Sequence, residues 1–209
     1  MKLTLLLIAI MIIGFAVPLF FVQDIEGFYN TFGFSGKNFL ERPYVVVTSI
    51  FMHGGIEHLL SNLLVLIFFG LAVEAELGVK KMLVIFFLGA FAGDFFSLFF
   101  YPFDAVAIGA SAGIFALVGA GMLVRPFDLS LSGAGIMPLA LLGMSYIIYN
   151  IYGFFFPAGN ISYIAHFGGL FVGLAFGFKT KGMKKSMLII FASAAVLVVL
   201  MAMIKLILK

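Results

Sequence analysis

Long apolar runs separated by short polar or basic breaks divide the chain from end to end. A helix that crosses a bilayer needs about 20 predominantly apolar residues. Runs at 3–22, 56–73, 82–100, 109–124, 136–156, 161–178 and 187–208 meet or approach that length. The first follows Lys2, but it is too long for a signal-peptide core and no clean small-x-small cleavage site follows it. It is therefore read as a retained helix. The 24–43 stretch between the first two runs is a loop with Asp24, Glu26, Lys37, Glu41 and Arg42. It also carries Phe28, Tyr29, Phe32, Phe34 and Phe39, aromatics suited to a membrane–water boundary. Glu74, Glu76, Gly78, Lys80 and Lys81 mark the next break, then Pro102 with Asp104, then the polar, small stretch 128–135. Pro157-Ala158-Gly159-Asn160 ends the fifth run, and Lys179, Lys181, Lys184 and Lys185 separate the sixth from the seventh. The pattern predicts an all-α, polytopic membrane helix bundle.

Composition agrees. The chain is 64% hydrophobic and 10% charged, whereas a soluble domain carries about 25% charged residues. It has no cysteine, which removes thiolate nucleophiles, disulfides and cysteine metal sites. The net charge of +3 is spread over loop ends, and no basic patch suggests nucleic acid. Lys2, Lys80, Lys81, Arg125, Lys179, Lys181, Lys184 and Lys185 fall on one side, and Lys37, Arg42, Lys205 and Lys209 on the other. Basic residues favour the cytoplasmic side. The expected orientation in the cell membrane is amino terminus in and, with seven spans, carboxyl terminus out.

In that orientation the second, fourth and sixth spans all start on the outer face, and polar side chains gather near those starts. The second opens with His53-Gly54-Gly55-Ile56-Glu57-His58 and continues to Ser61-Asn62. The fourth opens with Gly109-Ala110-Ser111-Ala112-Gly113. His166 lies a few residues into the sixth span, roughly 9 Å down at the helical rise. A titratable ring at membrane depth is costly unless it finds a partner. Ser111 and His166 have the chemical types of a nucleophile and its general base. No carboxylate stands where it would orient the ring, so the pair reads as a dyad. Phe115, one helical turn beyond Ser111, is placed to stack on the imidazole.

His58 and Asn62, four residues apart, share a helix face and both donate hydrogen bonds. With the Ser111 backbone N–H they form a candidate oxyanion hole. Gly109 and Gly113 on the fourth span, and Gly169, Gly173 and Gly177 on the sixth, form small-residue stripes that let helices approach closely. Contact along these stripes is expected to bring Ser111 to His166. His53 reads as a loop-fixing group, and Glu74 and Glu76 as caps or ion-pair partners of an inner turn. Asp94, inside the third span, has no evident role.

These pieces together resemble the rhomboid intramembrane serine proteases. The resemblance runs from Pro43-Tyr44 and Thr48-Ser49-Ile50-Phe51-Met52-His53, through His58-x-x-x-Asn62, Gly70-Leu71-Ala72-Val73-Glu74 with Leu77-Gly78, and Gly109-Ala110-Ser111, to Ala165-His166-x-x-Gly169-x-x-x-Gly173. It implies a rhomboid-like six-helix core, residues 1–178, with a basic turn and a C-terminal seventh transmembrane helix at 179–209. It also implies an endopeptidase of the lipid bilayer that acts on transmembrane protein substrates without cofactor or metal, its site open to the outer side. By the same resemblance, span five and the loop before span six are a mobile gate and cap. Ala112 replaces the family's usual glycine after the serine, Phe115 its frequent tyrosine, and Tyr44-Val45 the tryptophan–arginine pair of its first loop.

Other classes fit less well. An intramembrane aspartyl protease needs two facing aspartates, and a membrane zinc protease needs His-Glu-x-x-His, which 53–58 does not spell. Paired inverted repeats of a transporter are not evident. The alternative kept is a catalytically inactive rhomboid-like binding or escort factor, which typically loses the serine or the histidine.

Overall fold

A computed structural model describes residues 2–132, 135–157, 159 and 161–207. The chain begins with α1 (Lys2–Phe21), which carries Pro18 near its end. The first loop then folds into short helices. In α2 (Ile25–Phe32), Asp24 caps the start by accepting from the Gly27 N–H at 2.8 Å. In α3 (Gly36–Glu41), Ser35 does the same for Asn38 at 3.0 Å. These caps satisfy N–H groups that a helix start leaves without partners. A single turn, α4 (Val45–Thr48), and a 3₁₀ turn at Ser49–Phe51 lead to the second span.

That span is α5 (Ile56–Val65), a π turn at Leu66–Gly70 and α6 (Leu71–Leu77), continuous along Ile56–Leu77. Gly78, at φ +81°, turns the chain into α7 (Val79–Ser97). The fourth span, α8 (Ser111–Val124), is the axis of the bundle: every residue from Ala112 to Val124 is buried. Then come β1 (Leu129–Ser132), β2 (Gly135–Pro138), α9 (Leu139–Phe155), α10 (Tyr163–Lys181) and α11 (Met183–Ile207). The fold is an all-α membrane bundle that ends in a long apolar helix, α11.

The spans lie within a few residues of those expected, with one correction. The fifth does not begin at Ile136. Residues 129–132 and 135–138 pair as two antiparallel strands, with Leu129 opposite Pro138 and Leu131 opposite Ile136. The period-two run Leu129-Ser130-Leu131-Ser132 is a strand signal. Pro138, at ψ 145°, closes the strand and places Leu139 at the first helical position. Ala158 and Asn160, expected in the break before α10, and Leu208 and Lys209, expected at the end of the last span, lie outside the described residues.

Packing between α10 and α8 sets the site. A Cβ at Gly169 would run into the Ala112 carbonyl oxygen, and one at Gly173 into the Ala116 carbonyl oxygen. The two backbones therefore touch, as small residues permit. At the far end Glu76 accepts from Arg125 at 3.1 Å and from Lys181 at 2.9 Å. Arg125 also donates to Asp128 at 3.2 Å. The Asp128 hydrogen bond first, and the Glu76 one after it, hold the Arg125 guanidinium above its ordinary value. The ends of the Ile56–Leu77 span, α8 and α10 are thus gathered on one face.

The carboxylate of Glu74 turns inward. It accepts from the Leu3 N–H at 3.0 Å, the Thr4 N–H at 2.9 Å and the Thr4 hydroxyl at 2.6 Å. It caps α1 from another helix, where the dipole favours a negative charge.

Candidate active site

Ser111 is the first residue of α8, and His166 lies in the first turn of α10. The two helices bring the Ser111 Oγ to 2.9 Å from His166 Nε2, although 55 residues separate them in the chain. Phe115, one turn along α8, lies flat on the imidazole, with centroids 4.2 Å apart and planes 7° from parallel. Tyr163 meets the same ring edge-on at 6.3 Å.

The other ring nitrogen is also engaged. His166 Nδ1 lies 2.8 Å from Asn150 Oδ1, and the Asn150 amide nitrogen donates to the Tyr163 carbonyl oxygen at 3.1 Å. Asn150, on α9, is completely buried. Sequence reasoning missed it. The signal was present: an amide inside an apolar and aromatic helix must find a polar partner. What the sequence did not specify was which face of the fifth span turns inward.

His58 and Asn62 occupy the first two turns of α5. The His58 ring lies against the Gly109 backbone just before Ser111, where a Cβ on Gly109 would sit 2.7 Å from Cε1. His53 packs edge-on against His58, with centroids 5.0 Å apart, and its carbonyl accepts from the Tyr29 hydroxyl at 2.9 Å. The Asn62 side-chain nitrogen is buried and has no hydrogen-bond partner among the described residues. The Ser111 N–H, at the start of α8, has no intrahelical acceptor.

One expectation about the glycines is corrected. Gly109 does not lie on a helix surface; it precedes α8 at φ +122°, a conformation that favours glycine. Gly113 turns away from α10 and faces α7, where a Cβ would lie 2.7 Å from the Phe86 carbonyl oxygen. The face of α8 that meets α10 is Ala112, Ala116 and Gly119. The helix starts later than the small-residue run suggests, so its rotation presents the alanines instead. Asp94 also gains no partner; its Oδ2 is buried without a hydrogen bond among the described residues.

Residues 40–183 match the rhomboid domain. The chain belongs to the rhomboid family. It is 32% identical over 173 residues to rhomboid protease GluP of Bacillus subtilis, covering 77% of this chain and 32% of that protein. It is 30% identical over 137 residues to RHOMBOID-like protein 7 of Arabidopsis thaliana, covering 64% of this chain and 41% of the relative. It is also 31% identical over 140 residues to inactive RHOMBOID-like protein 8 of the same plant, covering 66% of this chain and 38% of that one. The chain thus spans less than half the length of these relatives. As a rhomboid it is an integral membrane protein of a family that includes serine intramembrane proteases as well as inactive members.

Proposed function

We propose that this rhomboid is a serine endopeptidase that cleaves transmembrane segments within the bilayer. The observation that carries the reading is the Ser111 Oγ–His166 Nε2 hydrogen bond of 2.9 Å at the start of a helix buried from Ala112 to Val124. A serine hydroxyl is a poor nucleophile until a base takes its proton, and imidazole is such a base.

In this reading Ser111 Oγ attacks the peptide carbonyl carbon as its proton passes to His166 Nε2. Negative charge gathers on the carbonyl oxygen. The Ser111 N–H, the buried amide of Asn62 and the ring of His58 are the donors assigned to that oxyanion. An unpartnered buried donor costs about 1–3 kcal/mol, and Asn62 recovers this when the oxyanion forms. His166 then protonates the leaving amine, the C–N bond breaks and a serine ester remains. Water adds to the ester, giving up its proton to His166, and the collapse that follows expels Ser111 with its proton restored.

Depth supports the substrate class. A helix of 14 residues rises about 21 Å, short of the roughly 30 Å hydrocarbon layer. With Arg125 held at one boundary by its ion pairs, Ser111 falls short of the other. The substrate is then a membrane segment with its backbone unwound. The catalytic unit in this reading is residues 1–178, and 179–209 supply the extra helix. The cell membrane, with the amino terminus cytoplasmic and the site open outward, is the orientation that the basic residues favour.

The test is labelling of purified protein with a fluorophosphonate, alongside cleavage of a model transmembrane substrate. Ser111→Ala is expected to abolish both, and His166→Ala to leave only residual cleavage. Labelling that persists in Ser111→Ala removes the serine from the mechanism. A wild-type protein that neither labels nor cleaves supports the escort-factor alternative, in keeping with a family that includes a relative named as inactive. Losing one oxyanion donor typically costs about 100- to 1,000-fold in rate, so Asn62→Ala is expected to be milder than Ser111→Ala.

A further inference from the structure

The dyad reading leaves one contact unused, the Asn150 amide against the far side of the His166 ring. We infer that Asn150 is a positioning residue that fixes the imidazole in the tautomer able to act as a base toward Ser111. The inference rests on the protease reading of Ser111 and His166, and it adds a third member to the constellation.

The Tyr163 carbonyl oxygen can only accept, so the group facing it at 3.1 Å is the Asn150 NH₂. That fixes the amide and leaves Asn150 Oδ1 facing His166 Nδ1 at 2.8 Å. An amide oxygen also only accepts. Nδ1 must therefore carry the proton in the neutral ring. The Nε2 lone pair is then free to face the Ser111 hydroxyl at 2.9 Å.

The other tautomer fails at both ends. Its Nδ1 lone pair would oppose the Asn150 oxygen, and its Nε2–H would donate to Ser111 rather than take its proton. Phe115 fixes the plane of the ring by stacking. Stacking does not distinguish one nitrogen from the other, because an aromatic face presents no separate donor and acceptor to the two positions. Asn150, Tyr163 and Ser111 lie on three different helices, so the lock exists only when α9, α10 and α8 are packed together.

A neutral amide does not supply the charge that a carboxylate would give the imidazolium. Its contribution is orientation and tautomer. Misplacement of a reacting group by a distant substitution can cost about 100-fold in rate, and that is the loss expected when Asn150 is removed.

The test combines nitrogen NMR of imidazole-labelled protein in lipid with the fluorophosphonate labelling rate. In the wild-type protein the neutral His166 ring is expected to be protonated at Nδ1. Ser111→Ala is expected to keep that form, because Asn150 and not Ser111 sets it. Asn150→Leu, of similar shape but without either polar group, should show a mixture of tautomers and label about 100-fold more slowly. Asn150→Asp retains an acceptor and should restore the Nδ1–H signal. A wild-type ring protonated at Nε2 overturns the inference, as does a tautomer that switches in Ser111→Ala or an Asn150→Leu protein that labels at the wild-type rate. If Asn150→Leu does not fold, the wild-type and Ser111→Ala spectra still decide. A wild-type protein without labelling or cleavage would end the protease reading alone, since the nitrogen signals report on Asn150 independently.

Discussion

The ring of Phe115 lies flat against the imidazole of His166, 4.2 Å away and 7° from parallel. The two residues sit on α8 and α10, and the same helix contact that stacks them brings Ser111 into hydrogen-bonding distance. Aromatic pairs contribute about 0.5–1.5 kcal/mol beyond the area they bury, so the stack restrains the ring without dominating it. Phe115→Leu is accordingly expected to slow fluorophosphonate labelling by about tenfold or less, and Phe115→Tyr to preserve it. A loss in Phe115→Leu as complete as that in Ser111→Ala would mean that the ring has a larger role than restraint.

Gly109 couples backbone geometry to the site. Its φ of +122° is strained for any other residue, and a Cβ there would press on His58. Gly109→Ala is expected to lower stability by about 1–3 kcal/mol, read from the thermal midpoint in detergent. Labelling should fall further than the folded fraction does, because His58 is displaced. Labelling that simply tracks the folded fraction would separate Gly109 from the site.

Glu74 supports the fold far from the chemistry. Glu74→Ala leaves the Leu3 and Thr4 N–H groups and the Thr4 hydroxyl without the acceptor they use. Stranding buried donors costs about 1–3 kcal/mol each. The thermal midpoint should drop markedly, whereas labelling of the protein that remains folded should be unchanged.

The absence of cysteine in the sequence makes orientation testable by single substitutions. Lys37→Cys is expected to react with a membrane-impermeant maleimide added to intact cells, and Lys184→Cys only after permeabilisation. The reverse pattern would invert the bundle.

Much of the architecture could be read directly. Lipid permits a spanning backbone few solutions, because every buried N–H and C=O must be satisfied within the segment. Apolar length therefore located α1, the Ile56–Leu77 span, α7, α10 and α11 within a few residues. The strand pair at 129–132 and 135–138 escaped because Ile136-Met137-Pro138 extends an apolar run, and hydropathy does not distinguish a strand from the first turn of a helix. The helices folded into the first loop escaped because they are too short for periodicity to show.

The site divides along the same line. Residue type together with span order and spacing singled out Ser111, His166, His58 and Asn62, because polar groups that gather at one membrane depth are costly unless they find partners. Asn150 is just as polar, but its importance depends on which way α9 is rotated and on a carbonyl of α10. The glycine stripe of α10 was evident in the sequence, whereas its partners on α8 proved to be the alanines.

Sequence by itself determined that this chain crosses the membrane in helices and which polar side chains it carries into the apolar layer, because bilayer thickness and desolvation act on each segment separately. Tertiary structure decided which of those side chains meet, how the imidazole is turned and which nitrogen faces the serine. Those features depend on helix rotation and on contact between backbones distant in the chain, and no local pattern of residues encodes either.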